Sequence, residues 1–259
     1  MANSESYLKK YENFLEEIEL SKYSTLRKIK TVEQDLPKSL NPLPLIYKYY
    51  WEERKFLNYE DFFKIYWNTN LHHIMDFVKK YFYGCSLQFV EEGFKARLYR
   101  TWTSLLTQFH FQYLWVEVFG KKYPLEASAE LDMAGIDSRI TVNGTLIGIQ
   151  IKKISYRREA SQRRFTKRQR KLVNIICEVP YLVIDIVEAE RKLKSNRTKE
   201  TTKKKLSILL SFFNENFRVL KNGFVIFRES YLSKIEYVLL TADRQGDFIP
   251  YTVFLPEVS

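Results

Sequence analysis

The sequence has few cysteines, few histidines and no long apolar run, and each shortage argues against a class of protein. Its 259 residues include two cysteines, Cys85 and Cys177, which suits the reducing cytoplasm, with a single disulfide as the alternative. No apolar stretch approaches the roughly 18 residues of a membrane-spanning helix, and the start lacks the apolar segment of a secretory signal. We therefore expect a cytoplasmic protein without a membrane partner.

Several common catalytic signatures are missing as well. The three histidines, His72, His73 and His110, have no cysteine or carboxylate at the spacing of a zinc site. The eight glycines form neither a glycine-rich phosphate loop nor the nucleophile elbow of serine hydrolases. The sequence thus gives no support for a zinc enzyme, a P-loop nucleotide hydrolase or a serine hydrolase.

Positive charge is abundant and lies in one part of the chain. Lysine and arginine total 42 against 31 aspartates and glutamates, which gives a formal net charge of +11. Residues 152–205 hold 18 basic and 6 acidic residues, so this block carries the entire excess. A localised surplus predicts a polyanionic partner, either nucleic acid or an anionic membrane surface, and the alternative is a solvated basic face.

Hydrophobic periodicity predicts a helical first half. Helices are expected over residues 5–20, 59–83 and 89–117, with a turn-rich connector at 37–44. The third helix has an apolar stripe at three- and four-residue spacing, which predicts a core face. The stripe consists of Leu98, Trp102, Leu105, Leu106, Phe109 and Tyr113.

The pattern changes at about residue 128, where β-branched runs appear. A basic helix is expected over 161–177, a strand over 181–187 parallel to its predecessor, and an amphipathic helix over 206–220. Further strands are expected at 223–227 and 235–240. These elements predict an α/β (α+β) fold, a mixed sheet flanked by helices, with a helical N-terminal elaboration.

We expect one domain over residues 1–259, because a chain of this length can bury a large core. Its mainly helical part is 1–125. The hairpin, the basic helix and a strand occupy 126–190, and 191–259 complete the domain.

The dipeptide Asn143-Gly144 predicts a β-hairpin, because it lies between two β-branched runs, 136–142 and 145–154. If these two residues form the loop, opposed residues have numbers that sum to 287. Side chains alternate between faces along each strand. The expected apolar face carries Ile136, Ile140, Ile147, Ile149 and Ile151. The expected polar face carries Asp137, Arg139, Gly148, Gln150 and Lys152, with open space at the glycine.

The polar face brings an acid, an amide and a lysine together. Asp137 and Gln150 should have Cβ atoms about 4.5–5.5 Å apart, with Lys152 on the diagonal at roughly 7–8 Å. Glu130 and Asp132 lie just upstream and can approach the same end. The alternative is a solvated sheet face with ordinary surface charge.

This arrangement resembles the PD-(D/E)xK nuclease core, with Gln150 in place of the second acid and Ile136 in place of the proline. Such a core would hold Mg²⁺ through Asp137, the carbonyl of Gln150 and a second acid, either Asp132 or Glu130. A lysine beside the metal-bound water, here Lys152, would offset the charge that develops on the phosphate.

The basic block follows this lysine directly. Residues 156–171 hold eight basic residues and one acid, with aromatic residues between them. Lysine and arginine neutralise phosphates, and arginine also reads guanine edges. The lysine-rich run 191–205 has no apolar stripe, and we expect a mobile loop or nonspecific contacts there. The predicted DNA-binding residues are Lys153, Arg157, Arg158, Arg163, Arg164, Lys167 and Arg168.

Longer stretches resemble the Taq-type type II restriction endonucleases, which cut the palindrome TCGA. They span most of the chain in the same order, whereas the first 20 residues, 188–205 and the C-terminal tail diverge. The resembling stretches are 29–44, 80–115, 130–137 (ELDMAGID), 148–160 and 222–236.

The resemblance implies a PD-(D/E)xK restriction-endonuclease-like core and a Mg²⁺-dependent homodimer. Such an enzyme cuts both strands of double-stranded DNA within TCGA after the T, leaves 5′-phosphate ends and has a cognate DNA methyltransferase in the same system. The family's acids and lysines that matter for cutting correspond here to Asp132, Asp137, Lys152 and Lys153. The hairpin faces favour Lys152 as the catalytic lysine and leave Lys153 for DNA or solvent.

Two other functions stay open at this point. The amide of Gln150 in place of an acid is compatible with a noncatalytic DNA-binding protein that has a degenerate nuclease core. A structure-specific repair nuclease would share the core and cut junctions or flaps without a sequence rule. A degenerate core has no need to keep Asp137 and Lys152 together, which favours the endonuclease.

Overall fold

The computed structural model describes residues 6–154, 165–241 and 246–256 of the chain. These residues divide into two compact units. One contains the residues up to His110 together with Lys221–Phe224, and the other contains the described residues of Phe111–Leu220 and those from Val225 onward. That the whole chain folds as one nuclease domain stays a prediction.

Helices dominate the first unit and accompany strands in the second. None of the helices in the described residues is both long enough and apolar enough to cross a membrane. In chain order, the helices are α1 (Tyr7–Glu17), α2 (Leu43–Tyr47), α3 (Tyr59–Tyr81), α4 (Leu87–Phe119), α5 (Ala129–Met133), α6 (Ile186–Lys194), α7 (Glu200–Asn216) and α8 (Glu229–Thr241). The strands are β1 (Leu125–Glu126), β2 (Ser138–Val142), β3 (Thr145–Ile154), β4 (Ile175–Leu182), β5 (Phe217–Val219), β6 (Val225–Phe227) and β7 (Phe248–Ile249).

The apolar stripe of α4 is buried as predicted, and its residues up to Phe109 belong to the core of the first unit. The indole N–H of Trp102 donates to the hydroxyl of Tyr50 at 2.7 Å. The hydroxyl of Tyr11 donates to the carbonyl of Leu106 at 2.9 Å. These bonds satisfy polar atoms that would otherwise be costly to bury. The three helices predicted in the first half of the chain are confirmed, with ends shifted by a few residues.

The second unit contains a mixed sheet. Within the described residues its strand order is β1-β2-β3-β4-β7, with β1, β2 and β3 antiparallel and β4 parallel to both β3 and β7. Val142 faces Thr145 and Ile140 faces Ile147, so the hairpin register predicted from Asn143-Gly144 is confirmed. The mixed α/β class, a sheet flanked by helices with a helical N-terminal region, is also confirmed and is consistent with a nuclease-like core.

Two expectations about the hairpin are wrong: the face on which Ile136 lies and the open space at Gly148. Ile136 precedes β2, so strand alternation does not apply to it, and its methyl group lies on the face of Gly148. A Cβ at Gly148 would meet Ile176 at 2.9 Å, Ile136 at 3.1 Å and Val173 at 3.2 Å. The space above Gly148 is therefore filled, and the glycine permits a close approach of apolar side chains.

Strand β4 begins earlier than expected and replaces most of the predicted basic helix. The described part of 161–177 forms a turn, a short 3₁₀ helix at Gln169–Lys171 and the start of β4. Ile175 pairs with Ile147 and all of β4 is buried, so burial in the sheet outweighs the helical charge pattern. The predicted strand at 181–187 is thus misplaced, because α6 already begins at Ile186.

A proline lies inside β4 without disrupting the sheet. The N–H of Ile176 donates towards β7, to Asp247, whereas the N–H of Val183 donates to Ile154 of β3. By alternation, the nitrogen of Pro180 points to the β7 side. Among the described residues β7 pairs only with Ile176 and Cys177 of β4, so no described strand there needs the missing donor.

Two further expectations are wrong for related reasons. The segment 235–240 belongs to α8, where Ile235, Val238 and Leu239 are buried at helical spacing, rather than to a strand. Most of the basic run 191–205 belongs to α6 and α7 rather than to a mobile loop. These helices pack together through Ala189, Leu206 and neighbouring apolar side chains.

We predict that Gly148→Ala destabilises the protein. The added methyl group overpacks the cluster around Ile136 and should lower the free energy of unfolding by about 1–3 kcal/mol in urea denaturation. The control is Gly246→Ala, where the nearest atoms are 3.9 Å away and a change within about 0.5 kcal/mol is expected. Equal stability of the two variants would contradict the tight packing.

Candidate active site

The segment ELDMAGID folds as a short helix followed by a tight turn. Ser128 caps α5 by accepting a hydrogen bond from the N–H of Leu131. Gly135 has a φ of +79° and donates to Asp132, while Ile136 donates back to Leu131 at 2.9 Å. This is the Schellman ending of a helix, supported by packing of Leu131 against Ile136. It places Asp132 and Asp137 at the two ends of one turn.

The main chain of β3 holds Asp137 from the other side. Its carboxylate accepts a hydrogen bond from the N–H of Ile151 at 2.6 Å. Its own N–H donates to the carbonyl of Ile149 at 2.9 Å, because the regular ladder ends at Ser138. Asp137 therefore does not pair directly with Gln150 as the register predicted. Its carboxylate still contacts β3, at the backbone of Ile151, which lies between Gln150 and Lys152.

Two glutamines fix the turn from different elements. The side-chain amides of Gln150, in β3, and of Gln169, in the 3₁₀ helix, both donate to the carbonyl oxygen of Gly135. Gln169 is itself held by the N–H of Thr166, which donates to its Oε1 at 3.0 Å. The two glutamines and Asp132 line a cavity of about 310 Å³. The amide nitrogen of Gln150 is thus already bonded to Gly135, and its amide oxygen is the atom that can serve as a metal ligand.

The two lysines of β3 point to opposite faces of the sheet. Lys152 lies on the face of Gln150, and its ammonium nitrogen is 3.2 Å from a carboxylate oxygen of Glu178. Lys153 is exposed and pairs in register with Tyr181. The structure therefore brings Asp132, Asp137, Gln150 and Lys152 together and places Lys153 on the other face.

The two aspartates repel each other in a poorly solvated site. Burial, followed by the negative charge of Asp132, raises the pKa of Asp137 from 3.8 to about 7. The N–H of Ile151 and the charge of Lys152 oppose this shift without cancelling it. A divalent cation between the carboxylates would relieve the repulsion, so this donor set fits such an ion.

The protein supplies a sparse set of metal ligands. In the described parts of the chain, no three histidine, cysteine, aspartate or glutamate side chains gather as a metal cluster. Glu130, which precedes Asp132 on α5, is exposed. Two carboxylates and one amide oxygen suit Mg²⁺, which keeps several waters and also takes phosphate oxygens as ligands.

The predicted DNA-binding residues are only partly described. Arg157, Arg158, Arg163 and Arg164 lie outside the described residues. Lys167 and Arg168 are exposed, and the guanidinium group of Arg168 donates to the carbonyl of Met133 at 3.3 Å. The basic segment, meaning the described residues 165–171, therefore lies beside the turn that carries the two aspartates.

Sequence reasoning missed Glu178 and Gln169. Glu178 is 1% exposed and interrupts the apolar run of β4, and a lone acid in such a run signals a buried partner. Gln169 gave no comparable signal, because its role depends on the fold of the segment 165–171.

Comparisons with known proteins identify the family of the chain. The family profile described as TaqI restriction endonuclease matches residues 8–239. The chain is 44% identical over 238 residues to the type II restriction enzyme TaqI of Thermus aquaticus, covering 90% of this chain and 88% of the relative. It is 43% identical over 242 residues to the type II restriction enzyme TthHB8I of Thermus thermophilus, covering 91% and 89%. No solved structure matches the chain.

We predict that Asp137→Asn stabilises the metal-free protein in a pH-dependent way. Below the unfolded-state pKa near ~4, the carboxyl is neutral in both states. Between pH ~4 and ~7 the unfolded chain loses this proton first, so the free energy of unfolding of the parent falls as pH rises. The variant lacks this proton, and its advantage should grow from pH ~4 to ~8 in urea denaturation with EDTA.

The control for this prediction is Asp35→Asn, which changes an exposed carboxyl far from the site in sequence. Its free energy of unfolding should stay within about 0.5 kcal/mol of the parent value. An advantage of Asp137→Asn that does not change with pH would show that the Asp137 carboxyl carries no burial or repulsion cost.

Proposed function

Because this chain belongs to the TaqI restriction endonuclease family and is a type II restriction endonuclease, we propose that it cuts both strands of DNA within TCGA with Mg²⁺ as the cofactor. Type II restriction enzymes bind DNA and generally use a divalent metal ion. The observation that carries the proposal is the pair Asp132 and Asp137, held on one turn beside Lys152. The TCGA target follows from the resemblance to Taq-type enzymes.

The residues of the site divide the work of phosphodiester hydrolysis. Bound Mg²⁺ would supply positive charge at a phosphate oxygen and lower the pKa of a water molecule. Asp132 and Asp137 would hold the ion, and the amide oxygen of Gln150 would add a neutral ligand while its nitrogen keeps the Gly135 bond. Lys152 would offset the charge that develops on the phosphate.

The proposal extends to partners and products. A palindromic target is matched by a two-fold symmetric protein, so we expect a homodimer. We also expect 5′-phosphate ends and a cognate methyltransferase that protects the host DNA. Cys85 and Cys177 are both free thiols, which supports a cytoplasmic location.

Digestion of a long linear duplex of known sequence tests this function directly. The purified protein is incubated with Mg²⁺ or with EDTA, and the fragment ends are mapped. Discrete Mg²⁺-dependent ends within TCGA support the proposal. A random smear would remove the sequence specificity, and intact DNA that still shifts on a gel would indicate the noncatalytic binding protein.

We predict that Asp137→Ala abolishes cleavage but leaves specific binding of a TCGA duplex near normal. The substitution removes a metal ligand, whereas the phosphate contacts of the basic segment remain. Binding is measured by gel shift without metal, and cleavage by the rate with Mg²⁺. Full cutting by this variant would remove Asp137 from the catalytic site.

We predict that Lys152→Ala slows cleavage by at least about 10²-fold, the usual effect of losing one charge-stabilising group. Lys153→Ala is the matched control, because this neighbouring lysine points to the other face of β3. Its cleavage rate at saturating DNA should stay close to that of the parent. The reverse pattern, a large loss for Lys153→Ala alone, would show that the two roles are exchanged.

A further inference from the structure

Glu178 is a carboxylate buried in the middle of β4. It is 1% exposed, and every residue of β4 is buried. A charged side chain in such a position is costly unless an opposite charge compensates it. The fold therefore retains this carboxylate against a strong preference for an apolar residue.

The ammonium group of Lys152 supplies the compensation. Its Nζ lies 3.2 Å from Oε1 of Glu178, and the lysine side chain is 17% exposed. Apart from this contact, no hydrogen bond reaches either carboxylate oxygen of Glu178 in the part of the chain that the structure describes. Attraction to Lys152 is thus the main interaction that Glu178 makes.

The strand register places this carboxylate beside the nuclease motif. Glu178 stands opposite Gln150 in the parallel pairing of β4 with β3, and Lys152 stands opposite Pro180. Residue 150 is where the PD-(D/E)xK pattern has its second acid. The chain therefore lacks that acid on β3 and has one on the neighbouring strand, directed at the lysine of the same motif.

We propose that Glu178 is a positioning residue that holds the ammonium group of Lys152 in the active site. A lysine side chain has a flexible four-carbon stem, and a fixed counter-charge selects one of its many conformations. The same lysine lies close enough to Asp137 to act on the charge of its carboxylate. The proposal rests on the proposed function, in which Lys152 is the catalytic lysine.

A double-mutant cycle of cleavage rates tests the proposal. The variants are Glu178→Gln, Lys152→Met and the combination of both, measured in single turnovers of a TCGA duplex with Mg²⁺. We expect Glu178→Gln to lower the rate by roughly 10–100-fold, the usual effect of losing a group that orients a catalytic side chain. The dissociation constant for the duplex without metal should not change.

Because Glu178 acts through Lys152, its loss should cost nothing further once the lysine is gone. The combined variant is therefore expected to cut at the rate of Lys152→Met alone. A parent-like rate for folded Glu178→Gln would overturn the proposal. If the fold-loss in cleavage rate of the combined variant equals the product of the two single losses, the proposal is also overturned, because the two residues would then act independently.

Unfolding measurements keep the test valid if a variant loses stability. Lys152→Met leaves the buried carboxylate without a counter-charge, so its urea midpoint should lie below that of the combined variant. The opposite order would show that the pair is not formed. This readout does not depend on cleavage, so the Lys152–Glu178 pair is tested even if the parent protein cuts no DNA. A parent that cuts no DNA would overturn the proposed function, and with it the positioning role of Glu178.

Two further variants separate positioning from general charge effects. Glu178→Asp keeps the charge on a shorter side chain, and we expect it to cut faster than Glu178→Gln but more slowly than the parent. Glu200→Gln removes an exposed partner of Lys203, 2.9 Å away, and should change neither the rate nor the midpoint. A loss of rate for Glu200→Gln equal to that of Glu178→Gln would overturn the specific role.

Discussion

Two glutamine side chains donate to the carbonyl oxygen of Gly135, and this contact holds the turn that carries both aspartates of the proposed metal site. The glycine closes α5 in the left-handed region, which leaves its carbonyl free to accept from β3 and from the 3₁₀ helix. Asp132 lies before this turn and Asp137 after it. The separation of the two carboxylates is therefore set by the sheet and the basic segment together.

The charges of the site follow from this geometry. Asp132 and Asp137 form a negative pair that favours a cation, and the charge of Lys152 acts both on Asp137 and on the buried Glu178. Gln150 stands where the nuclease pattern has an acid on β3, and the nearest register position of β4 carries the buried Glu178, which we propose positions Lys152.

Local signals predicted the parts of the fold that depend on local chemistry. The turn Asn143-Gly144 fixed the hairpin register, because a two-residue loop allows only one pairing. The filled space at Gly148 and the partner of Glu178 depend on β4, whose position relative to β3 no local pattern encodes. The segment 235–240 had strand-like residues, yet burial against neighbouring elements selected a helix.

The central claim is that Asp132 and Asp137 form the divalent-cation site. Calorimetric titration of Mg²⁺ into the protein, in buffers of different ionisation enthalpy, measures the proton that the cation displaces. With the pKa of Asp137 at about 7, roughly half a proton should be released at pH ~7, and Asp137→Asn should abolish the release. Binding heat that is independent of the buffer, or unchanged in the variant, would contradict the claim.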